Sequence, residues 1–167
     1  MAAPVRVLMV CMGNICRSPT AEAVLRHKLG LAGLGDWVEV DSAGTHGHFH
    51  AGEAPDPRAV KQAAARGYDL SKLRARRVLA QDFDRFHWIL GMDQDNLVHL
   101  RGAAPAGFGG RLGLLLEHSP QFAGVLEVPD PYYGATAGFD RVLDLVEDAC
   151  DGLVERLLRE GNFARQA

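Results

Sequence analysis

Cys11 and Arg17 stand six residues apart in the segment Val10-Cys11-Met12-Gly13-Asn14-Ile15-Cys16-Arg17-Ser18-Pro19. A thiolate is a strong nucleophile, and a guanidinium is a planar fork of donors that holds two phosphoryl oxygens at once, which a lysine does not match. Together they suit a group that binds a phosphate and attacks it. Gly13 and Asn14 are residue types that tolerate positive φ, as a tight loop between the two requires. The Ser18 hydroxyl can donate to the thiolate and ease its departure as a leaving group. Cys-x5-Arg alone is a weak signal, because a cysteine at a strand end is often only a small hydrophobe; the weight comes from its surroundings.

Those surroundings form a strand, a loop and a helix. Val5 to Val10 is apolar and β-branched, as in a buried strand, while Ser18 followed by Pro19 predicts an N-cap with proline at the first helical position. A tight loop at such a junction turns backbone N–H groups inward as an anion nest, and the following helix adds its positive end. Met12, Gly13, Asn14, Ile15, Cys16 and Ser18 are therefore the candidate phosphate-binding residues, and the same field favours a thiolate at Cys11.

Further along, periodicity predicts helix 19–31, strand 37–41, helix 56–66, a helical turn near 80–84, strand 86–91 and helix 94–101. Leu112 to Leu116 is expected as a last buried strand, followed by a proline-containing loop over 118–137 and a long helix from about 138 to 160. That helix places Val142, Leu145, Val146, Ala149, Leu153 and Leu157 on one core-facing stripe. Strand-helix alternation of this kind predicts an α/β fold, a parallel sheet with helices on both faces, whose ligands sit at the carboxyl ends of the strands. Cys11 lies at one such end.

The chain has 167 residues, 47% of them hydrophobic, enough for one compact core, and carries no repeat or linker; a single domain over 1–167 is expected. A net charge of −3 predicts no nucleic-acid partner, and the absence of a long apolar run predicts no membrane span. The N-terminus lacks the basic and apolar regions of a signal peptide, and three cysteines, an odd number, fit a reducing cytoplasm better than a disulfide framework. Three lysines against many arginines and alanines suggest a GC-rich, bacterial genome.

The segment Val7 to Pro19 resembles the phosphate-binding loop of the low-molecular-weight protein tyrosine phosphatases. Asp41-Ser42-Ala43-Gly44-Thr45, Asp56-Pro57-Arg58-Ala59, Met92-Asp93 and Asp130-Pro131-Tyr132-Tyr133 resemble further family segments in the family's order, so the likeness spans nearly the whole chain. It implies a three-layer domain with a four-stranded sheet. It also implies hydrolysis of phosphotyrosine in proteins, and of small aryl phosphates, without metal or cofactor. The implied partner is a phosphotyrosine protein substrate, which in bacterial relatives is often a tyrosine kinase.

Expelling a tyrosine, whose phenol has a pKa near 10, is slow without a proton donor. On residues alone Asp130 is equally a turn initiator before Pro131; the resemblance assigns it as general acid and later base. The expected cycle runs through a cysteinyl-phosphate, with Cys11 attacking and Arg17 holding the oxygens. Tyr132 and Tyr133 are expected to flank the slot, and Phe49 to form another wall where relatives often carry tryptophan. Cys16, five residues after Cys11, is a candidate partner for a protective disulfide under peroxide. Cys150 has helical neighbours and is expected in the core.

Two departures stand out. Leu73 replaces a histidine that in many members supports the loop asparagine, leaving Ser42 and other groups to hold Asn14. His46, His48 and His50 alternate in a spacing that would project to one side of an extended chain, though without an obvious further metal ligand. Lys72, Arg74, Arg76 and Arg77 form a basic run, expected to be solvated. The rival readings are an arsenate reductase, which needs a relay of cysteines that Cys150 does not supply, and a protein arginine phosphatase, which typically has threonine where Ile15 stands. From another class come a non-catalytic phosphopeptide-binding module and a redox sensor, against which Cys11, Arg17, Ser18 and Asp130 together argue.

Overall fold

A computed structural model describes residues 4–160 of the chain. Strand β1 (Val5–Cys11) leads through a loop into helix α1 (Arg17–Leu31), then β2 (Val38–Gly44), a 3₁₀ turn (Gly47–Phe49) and α2 (Pro57–Ala65). A short α3 (Asp82–Arg85), β3 (Trp88–Gly91), α4 (Gln94–Ala103), β4 (Arg111–Leu114), a second 3₁₀ turn (Leu115–His118) and α5 (Thr136–Glu160) complete it. The four strands form one parallel sheet in the order β2-β1-β3-β4. Because β1 is followed by β2 on one side and β3 on the other, the chain reverses direction across the sheet beside β1, where a crevice opens at the carboxyl ends. Cys11, at the end of β1 opposite Gly44, stands there.

The alternation of side chains in β1 divides the core. Val7 and Met9 join Val24, Leu25, Leu90 and the stripe Val142, Leu145, Val146, Ala149, Leu153 and Leu157 of α5 on one face, with Cys150 buried among them. Leu8 and Val10 join Phe83, Phe86, Ile89 and Leu100 on the other. Both faces of the sheet are thus covered, as parallel sheets require. Among the described residues, no helix is long and apolar enough to cross a membrane.

Two local expectations are corrected. Leu115 and Leu116 leave the strand and enter a 3₁₀ turn, because Glu117 accepts the Leu114 N–H at 2.9 Å and both leucines are buried there. An apolar run does not by itself distinguish a strand from a helical turn. Helix α1 begins two residues earlier than Ser18-Pro19 suggested, at Arg17 with Cys16 as N-cap and no side-chain cap. The Ser18 hydroxyl is drawn instead into the loop.

Candidate active site

The loop from Cys11 to Arg17 is propped from outside. The carbonyls of Cys11 and Met12 accept the N–H groups of Thr45 (2.9 Å) and His46 (2.8 Å), Ile15 accepts from Asp56 N–H (2.8 Å), and Cys16 accepts from the Thr20 hydroxyl (2.7 Å). Each peptide is planar, so turning these carbonyls outward points the N–H groups of Met12, Gly13, Cys16 and Arg17 toward the slot. Gly44 permits the close approach of β2 to this loop: a Cβ there would lie 2.6 Å from the Met12 carbonyl oxygen.

Asn14 adopts φ of +59°, the one non-glycine residue with positive φ among those described. It is held there by its own amide. Nδ2 donates to Ser18 Oγ (2.8 Å) and Ser42 Oγ (2.9 Å), while Oδ1 accepts the Arg76 N–H (3.0 Å). Ser42 in turn donates to buried Glu22 (2.7 Å), whose second oxygen is paired with Arg26. Burial raises the Glu22 pKa, against the hydrogen bonds from Ser42 and Arg26 that lower it. Leu73, in the place of a family histidine, packs against the core instead, and Asn14 is held by Ser42 and the Arg76 backbone.

Ser18 Oγ lies 3.0 Å from Cys11 Sγ. Its oxygen already accepts from Asn14, and its other acceptor, Ala43 O, is 3.5 Å away, so the hydroxyl proton is best directed at the sulfur. Cys11 itself is buried at the slot floor. Arg17 is buried and fixed by Asp93 Oδ2 (2.6 Å) and the Val128 carbonyl (3.0 Å), leaving Asp130 Oδ2 at 3.6 Å from its other terminal nitrogen. Burial lowers the Arg17 pKa, but the charge of Cys11, the Asp93 hydrogen bond and Asp130 outweigh it, and the net shift is upward. The guanidinium therefore stays a cation. Burial, reinforced by Asp56 and Cys11, pushes the Cys16 thiol far up.

The slot has a volume of about 120 Å³, between Cys11, Met12, Gly13, Ile15, Cys16 and Arg17 at its base and His50, Asp130, Tyr132 and Tyr133 at its mouth. Tyr132 and Tyr133 meet edge-on, ring centroids 4.8 Å apart, and Tyr133 is 94% exposed, free to cover a flat ring. Asn14 and Ser18 lie behind the loop, outside the slot's lining. Phe49 does not join the walls: it is 68% exposed and packs on His48. The 3₁₀ turn Gly47–Phe49 rotates His50 inward in its place, its ring edge beside Gly13 and its Nδ1 on Glu53. The same turn breaks the alternation of the histidines. His46 packs against His99, and no three His, Cys, Asp or Glu side chains among the described residues group as metal ligands. Lys72, Arg74 and Arg77 of the basic run are exposed, while Arg76 is half-buried and pairs with Asp41 (3.1 Å) and Asp82 (2.9 Å).

Sequence reasoning missed Asp93, Glu22 and His50. Asp93 followed by Asn96 carried the signal of a capping box, which the structure contains, but not its second task of orienting Arg17. A larger hollow, about 720 Å³, lies around Val5, Trp88 and Arg111 at the amino ends of the strands, away from these groups.

Residues 6–163 match the family model described as low molecular weight phosphotyrosine protein phosphatase. The chain is 46% identical to the low molecular weight protein-tyrosine-phosphatase of Streptomyces coelicolor, over 89% of this chain and 91% of that one. The crystal structure of a protein tyrosine phosphatase from Entamoeba histolytica, with Hepes in its active site, superposes with a TM-score of 0.89 at 38% identity, covering 93% of this chain and 97% of that one. YfkJ of Bacillus subtilis gives 0.88 at 34% identity, covering 96% and 99%. Matched over nearly its whole length in sequence and in fold, with the cysteine loop at the switch point of the sheet, the chain belongs to the low molecular weight phosphotyrosine protein phosphatases, hydrolases of phosphotyrosine in proteins.

Proposed function

We propose that Cys11, Arg17 and Asp130 carry the reaction through a cysteinyl-phosphate. The Cys11 thiolate attacks phosphorus while the bond to the tyrosine oxygen breaks and Asp130 gives that oxygen its proton. Arg17 and the loop amides hold the three equatorial oxygens. In the second half Asp130, now a carboxylate, takes a proton from water as the water attacks phosphorus; the sulfur–phosphorus bond breaks, and phosphate and the thiolate are released. Ser18 Oγ stabilises the departing thiolate. The observation that carries this reading is the convergence on one slot of Cys11 Sγ with Ser18 Oγ at 3.0 Å, the buried Arg17 cation, and Asp130 at 3.6 Å from that cation.

The aromatic mouth of the slot supports an aromatic phosphate over phosphoserine, with Tyr132 and Tyr133 against the substrate ring and His50 beside Tyr132. A bacterial tyrosine kinase is the kind of phosphoprotein this reading expects, and the three free cysteines suit a reducing cytoplasm. It further includes reversible peroxide inactivation: Cys11 reduces peroxide and becomes a sulfenic acid, which condenses with the Cys16 thiol to a disulfide and water. The test is hydrolysis of a phosphotyrosine peptide against phosphoserine and phosphoarginine peptides, with EDTA throughout, for the wild type and Cys11→Ser. EDTA-resistant phosphotyrosine turnover, lost in Cys11→Ser, is expected. Phosphopeptide binding without turnover would instead favour a binding module. Asp130→Asn should keep phosphate affinity and lose turnover of aryl phosphates with poor leaving groups; retention of that turnover refutes the acid's assignment.

A further inference from the structure

The loop that bears Asp130 is anchored at two points. On its amino side Val128 N–H donates to the Met92 carbonyl (2.8 Å) and Val128 O accepts from Arg17 (3.0 Å). Between the anchors the loop closes on itself, since Asp130 Oδ1 accepts the Tyr132 N–H (3.1 Å) and the Pro131 carbonyl accepts the Gly134 N–H (2.9 Å). The carbonyls of Tyr132 and Gly134 remain, and both turn to one side chain of another element. Arg58, in the first turn of α2, donates Nη2 to Tyr132 O at 2.8 Å and Nη1 to Gly134 O at 3.1 Å.

The Arg58 fork is itself fixed. Asp56 accepts its Nε (3.1 Å) and Nη2 (2.8 Å), and the guanidinium lies 4.7 Å from the centre of the Phe139 ring in the first turn of α5. Asp56 also caps α2 through the Arg58 N–H (2.9 Å), and its own N–H donates to Ile15 O in the phosphate loop (2.8 Å). One contiguous chain of hydrogen bonds therefore runs from the phosphate loop through Asp56 and Arg58 to the acid loop. A lysine could not reproduce it, because four separate acceptor contacts need a planar, branched donor.

We infer that Arg58 is a positioning residue for general acid catalysis, holding the Tyr132 and Gly134 carbonyls so that the Asp130 carboxyl stays over the Arg17 end of the slot. The inference rests on the assignment of Asp130 as the acid. Arg58 lies outside the slot's lining. Besides the acid loop's backbone it touches the Tyr132 ring, whose centre is 5.9 Å from the guanidinium, and a loss that travelled through this slot wall would fall on substrates alike, whatever their leaving group.

The experiment compares kcat/KM for phenyl phosphate, whose leaving group needs a proton, with that for a difluorinated umbelliferyl phosphate, whose leaving phenol is already ionised at the assay pH. Arg58→Met, Arg58→Lys and Asp130→Asn are measured singly, and Arg58→Met also on the Asp130→Asn background, with thermal melts of each. Loss of the charge-assisted anchor should lower kcat/KM for phenyl phosphate by about tenfold or more in Arg58→Met and leave the umbelliferyl substrate within about twofold. Arg58→Lys should fall near Arg58→Met, and Arg58→Met should add nothing to Asp130→Asn. Equal losses on both substrates, or an undiminished effect of Arg58→Met when Asp130 is absent, overturn the inference while leaving Asp130 as acid. An Asp130→Asn enzyme with no leaving-group dependence overturns the acid assignment and the inference with it. Should Arg58→Met not fold, Arg58→Lys and Asp56→Asn, which disconnect the fork more gently, are read by the same two-substrate ratio.

Discussion

Asn14 offers the sharpest quantitative test of how the phosphate loop is held. Its side chain makes three hydrogen bonds, to Ser18, Ser42 and the Arg76 N–H, and its backbone sits at φ +59°. A buried neutral hydrogen bond is worth about 1 kcal/mol net, so Asn14→Ala should cost about 3 kcal/mol from the lost bonds. Alanine at a left-handed φ adds about 1 kcal/mol or more. Asn14→Gly loses the same three bonds and escapes the steric term, although the greater freedom of its unfolded chain costs back part of that advantage. Denaturant unfolding should therefore place glycine below wild type by about 3 kcal/mol and alanine lower still by up to about 1 kcal/mol. Part of the same strain should appear in catalysis, because the loop amides lose the conformation that aims them at the phosphate. We expect kcat/KM to fall at least about tenfold in both variants and the affinity for inorganic phosphate to fall with it. An alanine variant as stable and active as wild type, or a glycine variant less stable than alanine, would refute the reasoning.

In α5, Gly152→Ala raises helix propensity by about 1 kcal/mol, yet its Cβ would sit 1.7 Å from the His118 carbonyl oxygen, so the clash should win and lower Tm. Gly30→Ala in α1, where nothing lies within 4 Å, is the control and should raise it; a Tm gain in both would contradict the packing described. His118 packs on Trp88, and burial first, then the charge of Arg156, hold its pKa below the ordinary 6.5. The neutral form is the one the fold prefers, so its contribution to stability is complete above about pH 6.5 and is lost as pH falls through the lower folded value. Denaturant unfolding of wild type should weaken between neutral and mildly acidic pH more than that of His118→Gln; parallel pH curves would contradict this. After peroxide treatment, peptide mass spectra should contain a Cys11–Cys16 link whose reduction restores activity, and Cys16→Ser should recover less; a missing link would rule out the protective disulfide.

The proposed nucleophile and phosphate clamp were legible because they are contiguous. Cys11, Arg17 and the intervening amides occupy one strand-loop-helix junction, and residue types, spacing and flanking patterns there reinforce one another. The stripe of α5 was legible for a similar reason: a period of 3.6 records which side of a helix meets the core. What depended on groups distant in the chain was not. Ser18 looked like an N-cap from local pattern, but Asn14 and Cys11 claim its hydroxyl once the loop closes. Arg17 was recognisable as a clamp, whereas its orientation comes from Asp93 and from the Val128 carbonyl 111 residues away. His50 rather than Phe49 faces the slot because a 3₁₀ turn changes the register of a short loop by one residue, a choice no periodicity encodes. Arg58 looked like the opening of a helix, and only folding brings the acid loop's carbonyls to it. Sequence alone brought Cys11, Arg17 and the loop amides to one junction, since local backbone geometry suffices to assemble them. The tertiary structure decided how each is aimed, since donors and acceptors far apart along the chain become partners only when the sheet and its helices close around them.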